Sequence, residues 1–272
     1  MGRVREGPKR RTLERCQFEN SFYRRAFPYN LVRSVLNTYR LLAGHRVEDR
    51  RHVGLGRPSR FQVGDWVRVK DAAEIRTTLD DDDQLRGRKF TAHHWPYCGL
   101  TYQVERVVRR RPDHSHRMQE VSETVALAGA ICDAPDGSPG CGRACSLYFL
   151  DEWLEPSSKD RTEPRVFGPT AKVRSFEEIA ATLDARGRLD GISFSPEMIE
   201  FTGQEFPIVR QIADLDVELP SWKQPRGAFY ALDGVRCSGA PRGSGGCDRN
   251  CALMWHRSWL EIDEPTAPAA PI

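Results

Sequence analysis

The chain has 272 residues, of which 39% are hydrophobic and 29% are charged, and its mean hydropathy is -0.58. No apolar run approaches the roughly eighteen residues of a membrane span, so the composition excludes a transmembrane protein and favours a folded chain of two domains. The net charge of +3 is uneven, because residues 1–60 hold fifteen Lys and Arg against five Asp and Glu. The other residues therefore carry a net charge of -7, which argues against a DNA-binding face on them.

Residues 1–60 are predicted to form a basic N-terminal arm. The first residues are positively charged but are not followed by the apolar stretch of a secretory signal, so we expect a cytoplasmic protein. Leu31, Val35, Tyr39 and Leu42 recur at helical spacing and predict one amphipathic helix. The cationic residues around this helix would attract nucleic acid or an acidic protein without sequence specificity.

The first predicted module covers residues 61–156 and begins with a strand in which apolar and polar residues alternate. Ile75 and Leu79 then lie on one face of a short helix. Strands are predicted at residues 61–70, 102–108 and 124–131. The segment 145–154 fits either a helix, with three leucines on one face, or a strand followed by a turn.

The chain contains an internal duplication. The segment 69–80 aligns with 173–184 at an offset of 104 residues and without a gap. Farther along, the two copies keep glycines, cysteines and tryptophans in the same order: Gly99 with Gly203, Cys132 with Cys237, and Trp153 with Trp259. The second module is therefore predicted at residues 166–263, with strands at 206–212 and 229–236.

Two short segments flank the second module. Residues 157–165 have the Pro, Ser and charge content of a linker. Residues 264–272 are too poor in apolar side chains to bury a core, so a disordered tail is expected. The predicted fold class is α+β and β-rich: two tandem SH3-like, partly open barrels, each with a short inserted helix and a cysteine knuckle, preceded by the helical arm.

The cysteines of the first module predict a metal site. Cys98, Cys132, Cys141 and Cys145 come from three segments, and four thiolates complete the tetrahedral coordination of a structural Zn²⁺. Thiols in a reducing compartment rarely form disulfides, so a metal site is the leading prediction and disulfides are the alternative. Iron or an iron–sulfur cluster would also fit cysteine ligation.

The second module has one cysteine fewer. Cys237, Cys247 and Cys251 keep the spacing, but Thr202 stands at the position of Cys98. His256 is the candidate fourth ligand. Without it the metal would have one open position, which is what a catalytic or substrate-binding metal needs. A structural metal and an open functional metal therefore both remain hypotheses here.

Two further sets of polar residues are informative. Arg143 and Arg249 lie inside the Cys-x-Arg-x-Cys pattern of each module, where they would offset thiolate charge or bind an anionic ligand. His93 and His94 lie in a predicted loop of the first module, and loop histidines are expected to be solvated.

Several of these residues together resemble a known family. Gly64–Val69, Tyr97-Cys98-Gly99, the three cysteines at 132, 141 and 145, and Trp153-Leu154 are similar to an uncharacterised family of small bacterial proteins with this cysteine motif. The resemblance covers both modules but not the arm, and Thr202 departs from the cysteine pattern. Some members occur beside biosynthetic genes, which implies an accessory role in a biosynthetic pathway and no particular catalytic residue.

The sequence favours a tandem zinc-binding protein that acts as a binding or accessory module for an unidentified protein or small molecule. One alternative is a metalloenzyme with an open metal site in the second module. Another is a nucleic-acid-associated factor that uses residues 1–60. The chain carries none of the common hydrolase, zinc-protease or dinucleotide-binding motifs.

Overall fold

The computed structural model of the chain describes residues 55–112, 118–132, 144–158, 168–212, 227–239 and 246–262. The predicted arm helix, the tail at 264–272, most of the linker, Cys141 and Arg143 lie outside these residues. No helix in the described ranges is long and apolar enough to cross a membrane.

The first module, here residues 61–156, contains nine strands and one α-helix within its described part. The strands are β1 (Trp66–Val69), β2 (Gln84–Leu85), β3 (Arg88–Lys89), β4 (Thr101–Val107), β5 (Arg110–Pro112), β6 (Met118–Glu120), β7 (Thr124–Ile131), β8 (Ser146–Leu150) and β9 (Leu154–Pro156). Helix α1 covers Ala72–Arg76, and 3-10 helices cover Trp95–Tyr97 and Asp151–Trp153.

The second module, residues 166–263, contains seven strands and one α-helix within its described part. The strands are β10 (Thr170–Val173), β11 (Arg188–Leu189), β12 (Ile192–Ser193), β13 (Glu205–Ile212), β14 (Phe229–Arg236), β15 (Ala252–His256) and β16 (Leu260–Ile262). Helix α2 covers Phe176–Thr182, and 3-10 helices cover Pro196–Phe201 and Arg257–Trp259.

Ten of these strands form two five-stranded antiparallel sheets, in the orders β8-β7-β4-β1-β9 and β15-β14-β13-β10-β16, and the other six form three two-stranded sheets. In the first sheet β1 lies between β4 and the last strand, β9. In the second sheet β10 lies in the same way between β13 and β16. Val67 of β1, for example, faces Tyr102 on one side and Pro156 on the other. This pairing curls the sheet into a half-barrel, and the predicted β-rich character is confirmed.

Each half-barrel encloses aromatic and aliphatic side chains. In the first module Phe90, Phe149 and Trp153 are fully buried, and Phe90 contacts Trp153 edge to face at 5.0 Å between ring centres. Phe194 and Trp259 make the corresponding contact in the second module, at 5.5 Å. Burial of one such side chain stabilises a fold by about 1.5–3 kcal/mol.

The predicted short helices are present, and capping explains where they begin. Asp71 precedes α1 and Ser175 precedes α2, and each forms a capping box with the glutamate three residues later. In α2 the N–H of Glu178 donates to the Ser175 hydroxyl, and the N–H of Ser175 donates to the Glu178 carboxylate.

The ambiguous segment 145–154 is a strand followed by a turn. Strand β8 pairs with β7, where Val125 faces Phe149 and Ala126 faces Tyr148. A helix at this position would leave the backbone groups along the outer side of β7 without a partner strand, and buried backbone groups require partners.

Candidate metal centre at the cysteine clusters

In the first module two predicted ligands lie side by side. Strand β7 ends just before Cys132 and β8 begins just after Cys145, so the pairing of these strands brings the two cysteines together. The N–H of Cys132 donates to the carbonyl oxygen of Cys145 at 2.8 Å. Cys141 lies between these two cysteines in the sequence and outside the described residues.

The second module repeats this arrangement between β14 and β15. The N–H of Cys237 donates to the carbonyl oxygen of Cys251 at 2.8 Å, and the N–H of Cys247 donates to the carbonyl oxygen of Gly239 at 3.1 Å. The backbone segments of all three cysteines are thus joined by hydrogen bonds within one small region.

A turn at Gly239 connects the Cys237 thiol to this region. The N–H of Gly239 donates to Sγ of Cys237 at 3.4 Å, and a donor of this kind favours the thiolate form of a cysteine. Gly239 has a φ of +73°, and a Cβ there would lie 1.8 Å from the carbonyl oxygen of Cys247. Only glycine therefore permits this approach of the two segments.

The thiols do not converge as closely as the backbone does. The six described cysteines, at positions 98, 132, 145, 237, 247 and 251, form no disulfide. Across the described part of the chain, no three Cys, His, Asp or Glu side chains are grouped closely enough to hold a metal ion.

Cys98 and Thr202, which align in the duplication, both end a 3-10 helix. Burial raises the pKa of the Cys98 thiol, the nearby charge of Asp71 raises it further, and Arg76 opposes the increase. The Thr202 hydroxyl donates to the carbonyl oxygen of Ile199 at 2.8 Å. Thr202 is therefore engaged within its own turn.

His256 lies at the opposite end of β15 from Cys251. Five residues of extended strand separate the two, which is about 17 Å. Nδ1 of His256 is 2.7 Å from the Ser258 hydroxyl, and Nε2 is 3.1 Å from the Asp190 carboxylate. The structure thus brings His256 to Asp190 and Ser258 rather than to the cysteines.

His94 corrects the expectation of solvated loop histidines, since only 5% of it is exposed. Its Nδ1 accepts the N–H of Thr91 at 3.1 Å, so the ring proton is on Nε2, which lies 3.3 Å from the carbonyl oxygen of Tyr148. Burial lowers the pKa of His94 to about 4. The sequence contained a signal for this burial, because the aligned residue of the second module is the apolar Met198. Met198 is buried as well.

The cysteine loop of the second module contacts the first module, which sequence reasoning missed. Asn250 donates to the Glu105 carboxylate at 2.5 Å and to the Ser146 hydroxyl at 3.0 Å. The Tyr148 hydroxyl donates to the carbonyl oxygen of Arg249 at 2.6 Å. In the other direction, Arg106 donates to the carbonyl oxygen of Cys237 at 3.1 Å.

No family model and no curated protein matches this chain. Three thiols in hydrogen-bonded segments, one of them accepting a backbone N–H, form a donor set that suits a soft divalent metal such as zinc.

Proposed function

We propose that each cysteine cluster binds one zinc ion and that the protein works as a binding or accessory module rather than as a stand-alone catalyst. The observation that carries the proposal is the hydrogen-bonded arrangement of Cys237, Cys247 and Cys251, with a glycine turn that donates to Sγ of Cys237. Their backbone segments are joined by hydrogen bonds, and zinc binding would require the three thiols to converge.

In the first module the corresponding ligands are Cys132, Cys141 and Cys145, with Cys98 as the fourth. The raised pKa of Cys98 means that zinc must displace its proton, which makes binding at this position dependent on pH. In the second module the proposed ligands are the three cysteines, since both ring nitrogens of His256 have other partners.

We further infer that the two modules are SH3-like barrels produced by duplication. Each sheet has the same relative strand order, with the last strand paired with the first. In both, a 3-10 helix of three residues directly precedes the last strand. Short helices with capping boxes follow the first strand in both copies.

A structural role of the metal is favoured over an open catalytic one. The Thr202 hydroxyl is bonded within its own turn, and the loop that carries Cys247 and Cys251 is bonded to the first module. Zinc in this loop would order the surface by which the two modules meet, and a partner would then bind to one rigid unit. An accessory role in a biosynthetic pathway is part of the same proposal.

Metal analysis of the full chain, purified without a chelating tag, tests the proposal. Two zinc ions per chain and no visible absorption are expected. A brown protein would indicate that the clusters bind iron instead of zinc. Less than about half an equivalent of any metal per chain would contradict metal binding by both clusters. Cobalt substitution adds a direct readout, since cobalt bound by thiolates gives intense near-ultraviolet charge-transfer bands.

The matched variants are Cys251→Ser and Cys16→Ser. The first removes a proposed ligand and should lower the zinc content from two to one or fewer per chain. The second removes a thiol that belongs to neither cluster and should leave the zinc content unchanged.

A further inference from the structure

The carboxylate of Glu197 lies beside the cysteine cluster of the second module. The N–H of Ser238 donates to Oε2 of Glu197 at 2.7 Å, and Ser238 directly follows the proposed ligand Cys237. The other oxygen, Oε1, is buried and has no hydrogen-bond partner among the described residues. Burial of a carboxylate oxygen is costly unless a donor or a cation approaches it. Glu197 therefore presents an oxygen suited to a cation one residue from Cys237.

The packing of the core holds Glu197 in this place. Glu197 is the second residue of the 3-10 helix Pro196–Phe201. The next residue, Met198, is fully buried and belongs to the same core cluster as Val235 of β14. Strand β14 ends at Arg236, just before Cys237. The approach of the carboxylate to the cluster thus follows from the way this helix packs on the strand that leads to Cys237.

The same backbone segment is fixed from the other side by the first module. The guanidinium of Arg106 donates to the carbonyl oxygen of Cys237 at 3.1 Å and to that of Ser238 at 2.8 Å. Three thiolates and one carboxylate around a divalent cation carry a net negative charge, as four thiolates do. The positive charge of Arg106 would offset part of it. The surroundings of Cys237 are therefore compatible with a carboxylate as an additional ligand.

The duplication explains why the second module needs a fourth ligand of another kind. Cys98 ends a 3-10 helix in the first module, and Thr202 ends the aligned helix in the second. The Thr202 hydroxyl donates to the carbonyl oxygen of Ile199, within its own turn. Glu197 lies five residues earlier, near the beginning of the same helix. The helix that lost the cysteine at one end thus carries a carboxylate at the other.

We propose that Glu197 is the fourth ligand of the zinc ion in the second module and closes its coordination. The inference rests on the proposed function, since it requires the three cysteines to bind zinc. Glutamate oxygen is an established zinc ligand, and four ligands complete the tetrahedron of a structural site. The aligned residue His93 is also of a type that binds zinc, but the first module has four cysteines without it. The inference therefore concerns the second module alone.

Transfer of zinc from the full chain to a chelator tests the assignment. The step of zinc release that is missing from Cys251→Ser belongs to the second cluster. Glu197→Gln keeps an oxygen that can accept the N–H of Ser238 but removes the charged ligand. It should weaken zinc binding in this step at least about tenfold, which is what loss of even an outer-sphere partner of a metal costs. Glu200→Gln, at an exposed glutamate of the same helix, is the matched control and should keep wild-type affinity.

Azide binding by the cobalt-substituted full chain adds a readout that a merely structural role of Glu197 would not change. A closed site offers azide no position, so the visible spectra of wild type and Glu200→Gln should not respond. Glu197→Gln has an open position, and its spectrum should shift saturably with azide. A saturable shift in wild type would overturn the proposal, and this measurement does not depend on the folding of Glu197→Gln.

Failure of the fourth ligand and failure of zinc binding give different results. If wild type releases no zinc that Cys251→Ser lacks, the second cluster binds no zinc and the proposed function itself fails. If that zinc is present and Glu197→Gln holds it as tightly as wild type does, only the role of Glu197 is overturned.

Discussion

Asp248 of the second module and Arg110 of the first are joined by two reciprocal hydrogen bonds. The backbone N–H of Arg110 donates to the Asp248 carboxylate at 3.0 Å, and the N–H of Asp248 donates to the carbonyl oxygen of Arg110 at 2.9 Å. Arg109 donates its N–H to the same carboxylate. The segment between Cys247 and Cys251 is therefore attached to an edge of the first module.

Replacing Asp248 should loosen the contact between the modules. Asp248 is partly buried, and Asp248→Ala leaves two backbone N–H groups without their acceptor, which costs about 1–3 kcal/mol. We expect a lower free energy of unfolding in urea and faster proteolysis between the modules. Asp81→Ala, at an exposed aspartate, is the matched control, and an equal loss of stability in both variants would contradict the assignment.

Gly239→Ala should impair the second cysteine cluster specifically. The added methyl group would lie 1.8 Å from the carbonyl oxygen of Cys247, so the two segments must separate. We expect about one zinc per chain instead of two. Gly234→Ala is the control, because Gly234 also has a positive φ but has no atom within 4 Å of the added Cβ. It should cost about 1–2 kcal/mol from the backbone alone and retain both zinc ions.

Stability should fall in mild acid because of His94. Its pKa is about 4 in the folded protein and about 6.5 in the unfolded chain. Above pH 6.5 the ring is neutral in both states and contributes no pH dependence. As the pH falls from 6.5 to 4 only the unfolded chain gains a proton, which favours unfolding by an amount on the order of 3 kcal/mol.

His94→Met provides the comparison, since Met198 fills the aligned position in the second module and the N–H of Ser195 lies 3.3 Å from its sulfur. As the pH decreases from 6.5 toward 4, the free energy of unfolding of wild type should fall relative to that of the variant, because only wild type carries this histidine. Parallel curves between pH 4 and 7 would show that His94 is protonated in the folded state too.

His256→Leu should leave the zinc content at two per chain. The variant introduces the residue that the first module carries at this position, Leu150, and it removes the hydrogen bonds to Asp190 and Ser258. We expect a modest loss of stability, about 1 kcal/mol. A fall to one zinc ion would establish His256 as the fourth ligand, so metal analysis decides between the two roles.

Local sequence patterns predicted the long strands and the two short helices, but not the two-residue and three-residue strands between them. Strands β7 and β14 occupy the predicted residues 124–131 and 229–236, because the flanking sequences are rich in glycine and polar residues, which are typical of strand boundaries. The short helices were also predictable, since Ile75 and Ile179 are buried on one face and capping residues precede both helices. These signals depend only on residues close together in the chain.

Tertiary structure decided the surroundings of the histidines and the secondary structure of residues 145–154. The leucines at 147, 150 and 154 fit either secondary structure, and pairing with β7 selected the strand. His94 is buried by Phe149 and Trp153, more than fifty residues away, and His256 is held by Asp190. No local pattern encodes such contacts, because they arise only when distant segments pack together.

The cysteine clusters illustrate both kinds of information. Spacing within the sequence was enough to select Cys237, Cys247 and Cys251 as a group, since all three lie within fifteen consecutive residues. Their attachment to the first module through Asp248 and Asn250 required the folded chain. That contact joins residues about 140 positions apart, and its hydrogen bonds depend on how the two half-barrels pack against one another.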